Sequence, residues 1–72
     1  MNEEIRLLDV VALTEDVPEH GLLRGQVGTI VEVFAEGSYE VEFSGDDGRA
    51  YALAPLAPRQ LMVLHYQPAR AA

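Results

Sequence analysis

Apolar residues along this chain fall in short runs broken by Gly and Pro, and they do not recur at the spacing of an amphipathic helix. The pattern predicts β-strands joined by turns. Strands are expected over Leu7–Thr14, Gln26–Phe34, Ser38–Ser44, Arg49–Ala54 and Leu61–Leu64. In the third, Tyr39, Val41 and Phe43 alternate with Glu40, Glu42 and Ser44, which gives one buried and one solvated face. Val27, Thr29, Val31 and Val33 alternate in the same way and are expected to point inward.

The segments between these runs carry turn chemistry. Ala35-Glu36-Gly37 reads as a three-residue hairpin loop with Gly37 in the left-handed position, pairing Val33 with Tyr39 and Val31 with Val41. Gly45-Asp46-Asp47-Gly48 reads as a four-residue loop that pairs Phe43 with Ala50 and Val41 with Ala52, small residues against large. Glu15–Gly25 is the longest connection, in which Leu22 and Leu23 are expected to plug the end of the core. Pro55 and Pro58 are expected to end the fourth strand, with a single 3-10 turn at Pro58–Gln60 before the fifth. Together these features predict an all-β fold, a small five-stranded SH3-like barrel with one short 3-10 turn before the last strand. The barrel is expected over residues 1–64, with a flexible tail at 65–72.

Composition narrows the functional range. At 72 residues the chain forms one small domain, too thin for an enclosing substrate pocket of ordinary size. It has no Cys, which removes disulfides, thiolate nucleophiles and the usual structural zinc sites, and suits a reduced cytoplasm. The net charge is -7, from twelve acidic residues against five arginines and no lysine. Nucleic-acid binding needs a basic stripe, whereas Arg6, Arg24, Arg49, Arg59 and Arg70 are scattered singly. No apolar run reaches the 18 or so residues of a membrane span, so neither membrane insertion nor export is expected.

Leu8-Asp9-Val10-Val11-Ala12-Leu13, Gly25-Gln26-Val27-Gly28-Thr29-Ile30-Val31-Glu32 and Tyr39-Glu40-Val41-Glu42-Phe43 together resemble a small bacterial family, domain of unknown function 4926. The resemblance spans Leu7 to Leu64 and implies an SH3-like barrel; it brings no activity and no catalytic residues with it. The Gly25–Val33 stretch is also similar to the KOW-type strand of ribosomal and transcription-elongation barrels. Those carry Lys and Arg where this chain is neutral or acidic, which argues against RNA binding.

Candidate chemistry is sparse. Ser38, Ser44, Thr14 and Thr29 lack a nucleophile-elbow context, and the imidazoles, His20 and His65, stand in the long loop and the tail. Asp46 and Asp47 sit where a turn favours Asp for its own backbone bonding, and the calcium-loop spacing is missing. Gly21, Gly25 and Gly28 precede no helix, so they make no phosphate cradle. No catalytic residue, metal or cofactor is expected.

What stands out is the outward face of the central hairpin. Glu32 is expected opposite Glu40, with Glu42 two residues along, an arrangement that costs up to about 1 kcal/mol in like-charge repulsion. Tyr51 and Leu53 are expected beside Glu42 and Glu40, and Phe34 joins at the turn end. Such carboxylates either keep a small barrel soluble or form a binding face for a basic protein partner, with the aromatics as anchors. The favoured expectation is a non-enzymatic protein-binding module, antitoxin-like, immunity-like or an accessory subunit; the alternative is a KOW-like nucleic-acid-binding barrel. Self-association is left open.

Overall fold

A computed structural model describes residues 4–66 and shows five antiparallel strands in a single sheet. They are β1 (Val10–Leu13), β2 (Val27–Val33), β3 (Tyr39–Ser44), β4 (Ala50–Leu56) and β5 (Leu61–Val63), hydrogen-bonded in the order β4-β3-β2-β1-β5. The all-β, five-stranded expectation holds, with the strands shorter than the apolar runs at most ends. The tail expected at 65–72 lies outside the described residues from position 67 onward.

Alternation places Val11 and Leu13 of β1, Ile30 of β2, Val41 and Phe43 of β3, and Ala54 and Leu56 of β4 on one side, all nearly or wholly buried. Val17 and Leu22 of the long loop and Leu61 of β5 complete this core. Phe43 is its largest fully buried side chain. Burying a side chain of that size contributes about 2–3 kcal/mol.

The first hairpin turn forms as its glycine requires. Phe34 N–H donates to Ser38 O at 2.9 Å, Gly37 N–H donates to Phe34 O at 3.0 Å, and Gly37 has φ +105°. Val33 pairs with Tyr39 and Glu32 with Glu40, as expected. Beyond that point a β-bulge leaves Val31 without a partner, so Ile30 and not Val31 stands opposite Val41. The inward set expected for β2 is therefore corrected: Val27, Val31 and Val33 are substantially exposed, and Gly28 and Ile30 face the core. An extra residue reverses the side-chain phase, which continuous alternation in the sequence conceals.

The second hairpin slips by two residues from its expected register. Phe43 pairs with Ala52 and Val41 with Ala54, in place of Ala50 and Ala52. One residue comes from the turn, which is a three-residue loop: Gly45 N–H donates to Arg49 O, and Gly48 adopts φ +80°. The other comes from a bulge between Phe43 and Ser44 that absorbs Tyr51. Alanines still face the large core residues, two positions later than expected.

Pro55 does not end the fourth strand; it lies within β4 opposite Glu40, and the strand runs on to Leu56. β4 is an edge of the sheet, where a residue without an N–H is tolerated. The 3-10 turn at Pro58–Gln60 forms as expected, held by Ala57 N–H to Gln60 Oε1 at 2.9 Å and tied to the end of β1 by Thr14 Oγ1 donating to Arg59 O at 2.7 Å. A second 3-10 turn, Pro18–His20, was not expected. It is closed by a Val17–Leu22 bridge and by Gly21 at φ +68°, and three residues leave no helical periodicity to read. Of the two leucines expected to plug the core end, Leu22 is buried and Leu23 is 63% exposed.

Candidate protein-binding face

Cross-strand register builds the outward face row by row. Glu32 stands directly opposite Glu40 in the β2–β3 ladder, and Glu40 faces Pro55 of β4. In the next row Thr29, Glu42 and Leu53 lie side by side. Leu53 is 55% exposed, so an apolar side chain borders the carboxylates at the open edge of the sheet. Phe34, half-buried at the hairpin turn, follows Glu32 by two positions and continues its side of the ladder.

Tyr51 is placed differently from expectation. The bulge moves it away from Glu42, whose neighbour is Leu53, and Glu40 gains Pro55 in place of Leu53. The Tyr51 hydroxyl accepts a hydrogen bond from Gln26 Nε2 at 3.1 Å, and its ring centroid lies 6.3 Å from that of Phe43. Tyr51 thus spans toward the start of β2 and is still half exposed.

The three glutamates carry no ion pair among the described residues. Arg6 pairs with Glu4 at 3.7 Å, Arg49 with Asp47 at 4.0 Å and Arg59 with Glu15 at 3.3 Å. Arg24 donates its backbone N–H to Asp16 Oδ1. Three of the chain's five arginines are thereby paired away from the Glu32–Glu40–Glu42 ladder, which gains no ion pair among the described residues to offset its mutual repulsion.

Asp47 and Ser38 are occupied locally. Asp47 Oδ1 accepts the Arg49 backbone N–H at 3.0 Å, the turn role expected of it. The Ser38 hydroxyl donates to the Glu36 carboxylate. His20 lies exposed in the first 3-10 turn, and His65 follows β5. Among the described residues no three His, Cys, Asp or Glu side chains group to hold a metal ion, and no polar or charged residue is buried. No helix of the described residues is long and apolar enough to cross a membrane.

A second outward feature escaped sequence reasoning. Ala12 of β1 is flanked by Val27 on one side and Met62 on the other. It points away from Val11 and Leu13, yet is only 6% exposed, while Val27 and Met62 are 46% and 53% exposed. The available signal was the unbroken apolar run Val10-Val11-Ala12-Leu13, since a strand apolar on both faces has something to cover on each.

The family model described as Domain of unknown function (DUF4926) matches residues 7–63. The chain belongs to this family. The match to DUF4926 encloses all five strands, both hairpin turns and the outward glutamates. No curated protein and no solved structure matches the chain.

Proposed function

We propose that this protein is a non-enzymatic, protein-binding module of the bacterial cytoplasm, of SH3-like type, whose outward β2–β3–β4 face holds a basic protein partner. The observation that carries this reading is the Glu32–Glu40 pair, directly opposed and joined by Glu42, with no ion pair to any of the three among the described residues and with Arg6, Arg49 and Arg59 paired to other carboxylates. A ladder selected for stability would alternate charge across the strands. A ladder that meets lysines or arginines of a partner gains steering and charge selection from the same carboxylates. The strand order and the 3-10 turn before β5 support the SH3-like description. An antitoxin-like, immunity-like or accessory-subunit role fits a small acidic module of this kind.

The test is affinity purification from the native host with the tagged wild type and a Glu32→Gln/Glu40→Gln/Glu42→Gln variant. A basic protein recovered in stoichiometric amount with the wild type and lost with the variant is the expected result. Recovery of no stoichiometric partner, or equal recovery by both, overturns the reading. Salt-sensitive binding of RNA or DNA by the wild type would favour a nucleic-acid-binding barrel instead.

A further inference from the structure

β4 forms one edge of the sheet, and among the described residues β3 is its sole strand partner. Outside that ladder, no backbone N–H or C=O of Ala50–Leu56 takes part in a hydrogen bond among the described residues. In an antiparallel ladder alternate residues turn these groups outward, so the free side of β4 offers a row of unpaired donors and acceptors. The strand, Ala50-Tyr51-Ala52-Leu53-Ala54-Pro55-Leu56, contains no charged residue. Leu53 and Pro55 are exposed on the outward face, directly beside Glu42 and Glu40.

We infer that the basic partner enters as an extended segment that adds a strand along β4, with Lys or Arg at every second position over Leu53 and Pro55. The inference rests on the acidic-face reading and names the partner element that the face receives. Two observations select this occupant. A free sheet edge is satisfied by another extended chain, which presents N–H and C=O groups to one side at the spacing of the strand, whereas a helix pairs its own internally. Glu40 and Glu42 are two residues apart on one strand, about 7 Å, the spacing that side chains at alternate positions of an added strand reproduce. The added strand would lie about 5 Å beyond β4 and about 10 Å from β3, so the aliphatic stems of its cations would cover Leu53 and Pro55 while their charged ends reach the carboxylates. Pro55 argues against a second copy of this chain, because it has no N–H and pairing β4 with itself would place that missing donor in the new ladder twice. Self-pairing would also bring together two chains that each carry a net charge of -7.

The test uses synthetic peptides of about nine residues, enough to cover β4 from end to end, with both termini blocked. One alternates lysine with threonine; a second has the same residues with the lysines in one block. Two further forms of the alternating peptide are N-methylated, one at every lysine and the other at every threonine, so that each blocks one edge of the extended chain and leaves the other free. Affinity is measured by titration at physiological salt, and the site by amide shifts and amide exchange. The alternating peptide is expected to bind more tightly than the block peptide and to slow amide exchange within β4. One N-methylated form should bind as the unmodified peptide does and the other about ten-fold more weakly, since only one edge of the added strand meets β4. Glu40→Gln/Glu42→Gln should weaken binding and flatten its salt dependence. Leu53→Lys, a like charge at an exposed edge position, should weaken the alternating peptide about ten-fold with the fold intact. Equal affinities of the two N-methylated forms, with binding still lost in the glutamine variant, overturn strand addition and leave the acidic face standing. Binding that survives the glutamine variant overturns the acidic-face reading and the cationic occupant with it. A dimer in sedimentation, with β4 amides protected in the free protein, assigns the edge to a second copy and overturns the inference. Absence of binding by every peptide overturns both readings.

Discussion

Among the glycines the tightest surroundings are at Gly28, and adding one methyl group there tests how firmly β2 and β3 are held together. A Cβ built on Gly28 would lie 2.7 Å from Val41 Cγ1, 2.9 Å from the Glu42 carbonyl oxygen and 3.0 Å from Phe43 Cδ2. Comfortable carbon contacts lie at about 3.5–4.0 Å, so relief requires β3 to retreat by several tenths of an ångström. Val41 and Phe43 are wholly buried and have no space to yield, and the carbonyl belongs to the strand itself. Overpacking of this kind costs about 1–3 kcal/mol. Replacing Gly by Ala returns about 0.4–1 kcal/mol by restricting the unfolded chain, which leaves a net loss for Gly28→Ala of about 1–2 kcal/mol. For a domain of this size the melting temperature should fall by about 5–15 °C. Far-UV circular dichroism through urea and thermal unfolding reads the change, and tyrosine fluorescence provides a second probe in a chain without tryptophan. An unchanged or raised midpoint, with the same dependence on urea, would refute the close packing of Phe43 and Val41 over Gly28.

Leu8 has φ +72°, is 70% exposed, and donates its N–H to Ile30 O at 2.8 Å. A left-handed leucine costs about 1 kcal/mol, and glycine's greater freedom in the unfolded chain takes back about half of the gain, so Leu8→Gly should stabilise by about 0.5 kcal/mol; a lower urea midpoint would contradict this. Glu40→Thr removes the like charge facing Glu32 and improves strand propensity, and should raise stability by about 0.5 kcal/mol at low salt, with the gain shrinking as salt is added. Parallel measurements at two salt concentrations check both statements, and a salt-independent gain would assign the effect to propensity alone.

Strand existence was legible because Tyr39-Glu40-Val41-Glu42-Phe43 and the glycine-closed loops each point to one structure. The Glu32–Glu40 pair followed from loop length alone, because a three-residue loop fixes the first pairs beside it. What could not be read was where Val31 and Tyr51 drop out of register. A bulge has no composition of its own, and each one transfers every later side chain to the opposite neighbour. The same limit explains the site: Glu32, Glu40 and Glu42 were placed together correctly, whereas Tyr51 moved to Gln26 and Leu53 moved to Glu42. The Met62–Ala12–Val27 row joins three segments far apart in the chain, so local alternation gave no means of bringing them together.

The pairing of β1 with β5 has a consequence for the order of folding. β2, β3 and β4 are joined by three-residue loops and can zip in sequence, whereas Val11 meets Val63 only when a loop of about fifty residues closes. Contacts of such separation form late, after the hairpins have restricted the chain between them. During synthesis β5 is also the last strand to leave the ribosome, and until it docks the outer edge of β1 lies open. Met62 reaches Ala12 only when that long loop closes, so the Met62–Ala12–Val27 row depends on the longest-range pairing in the sheet.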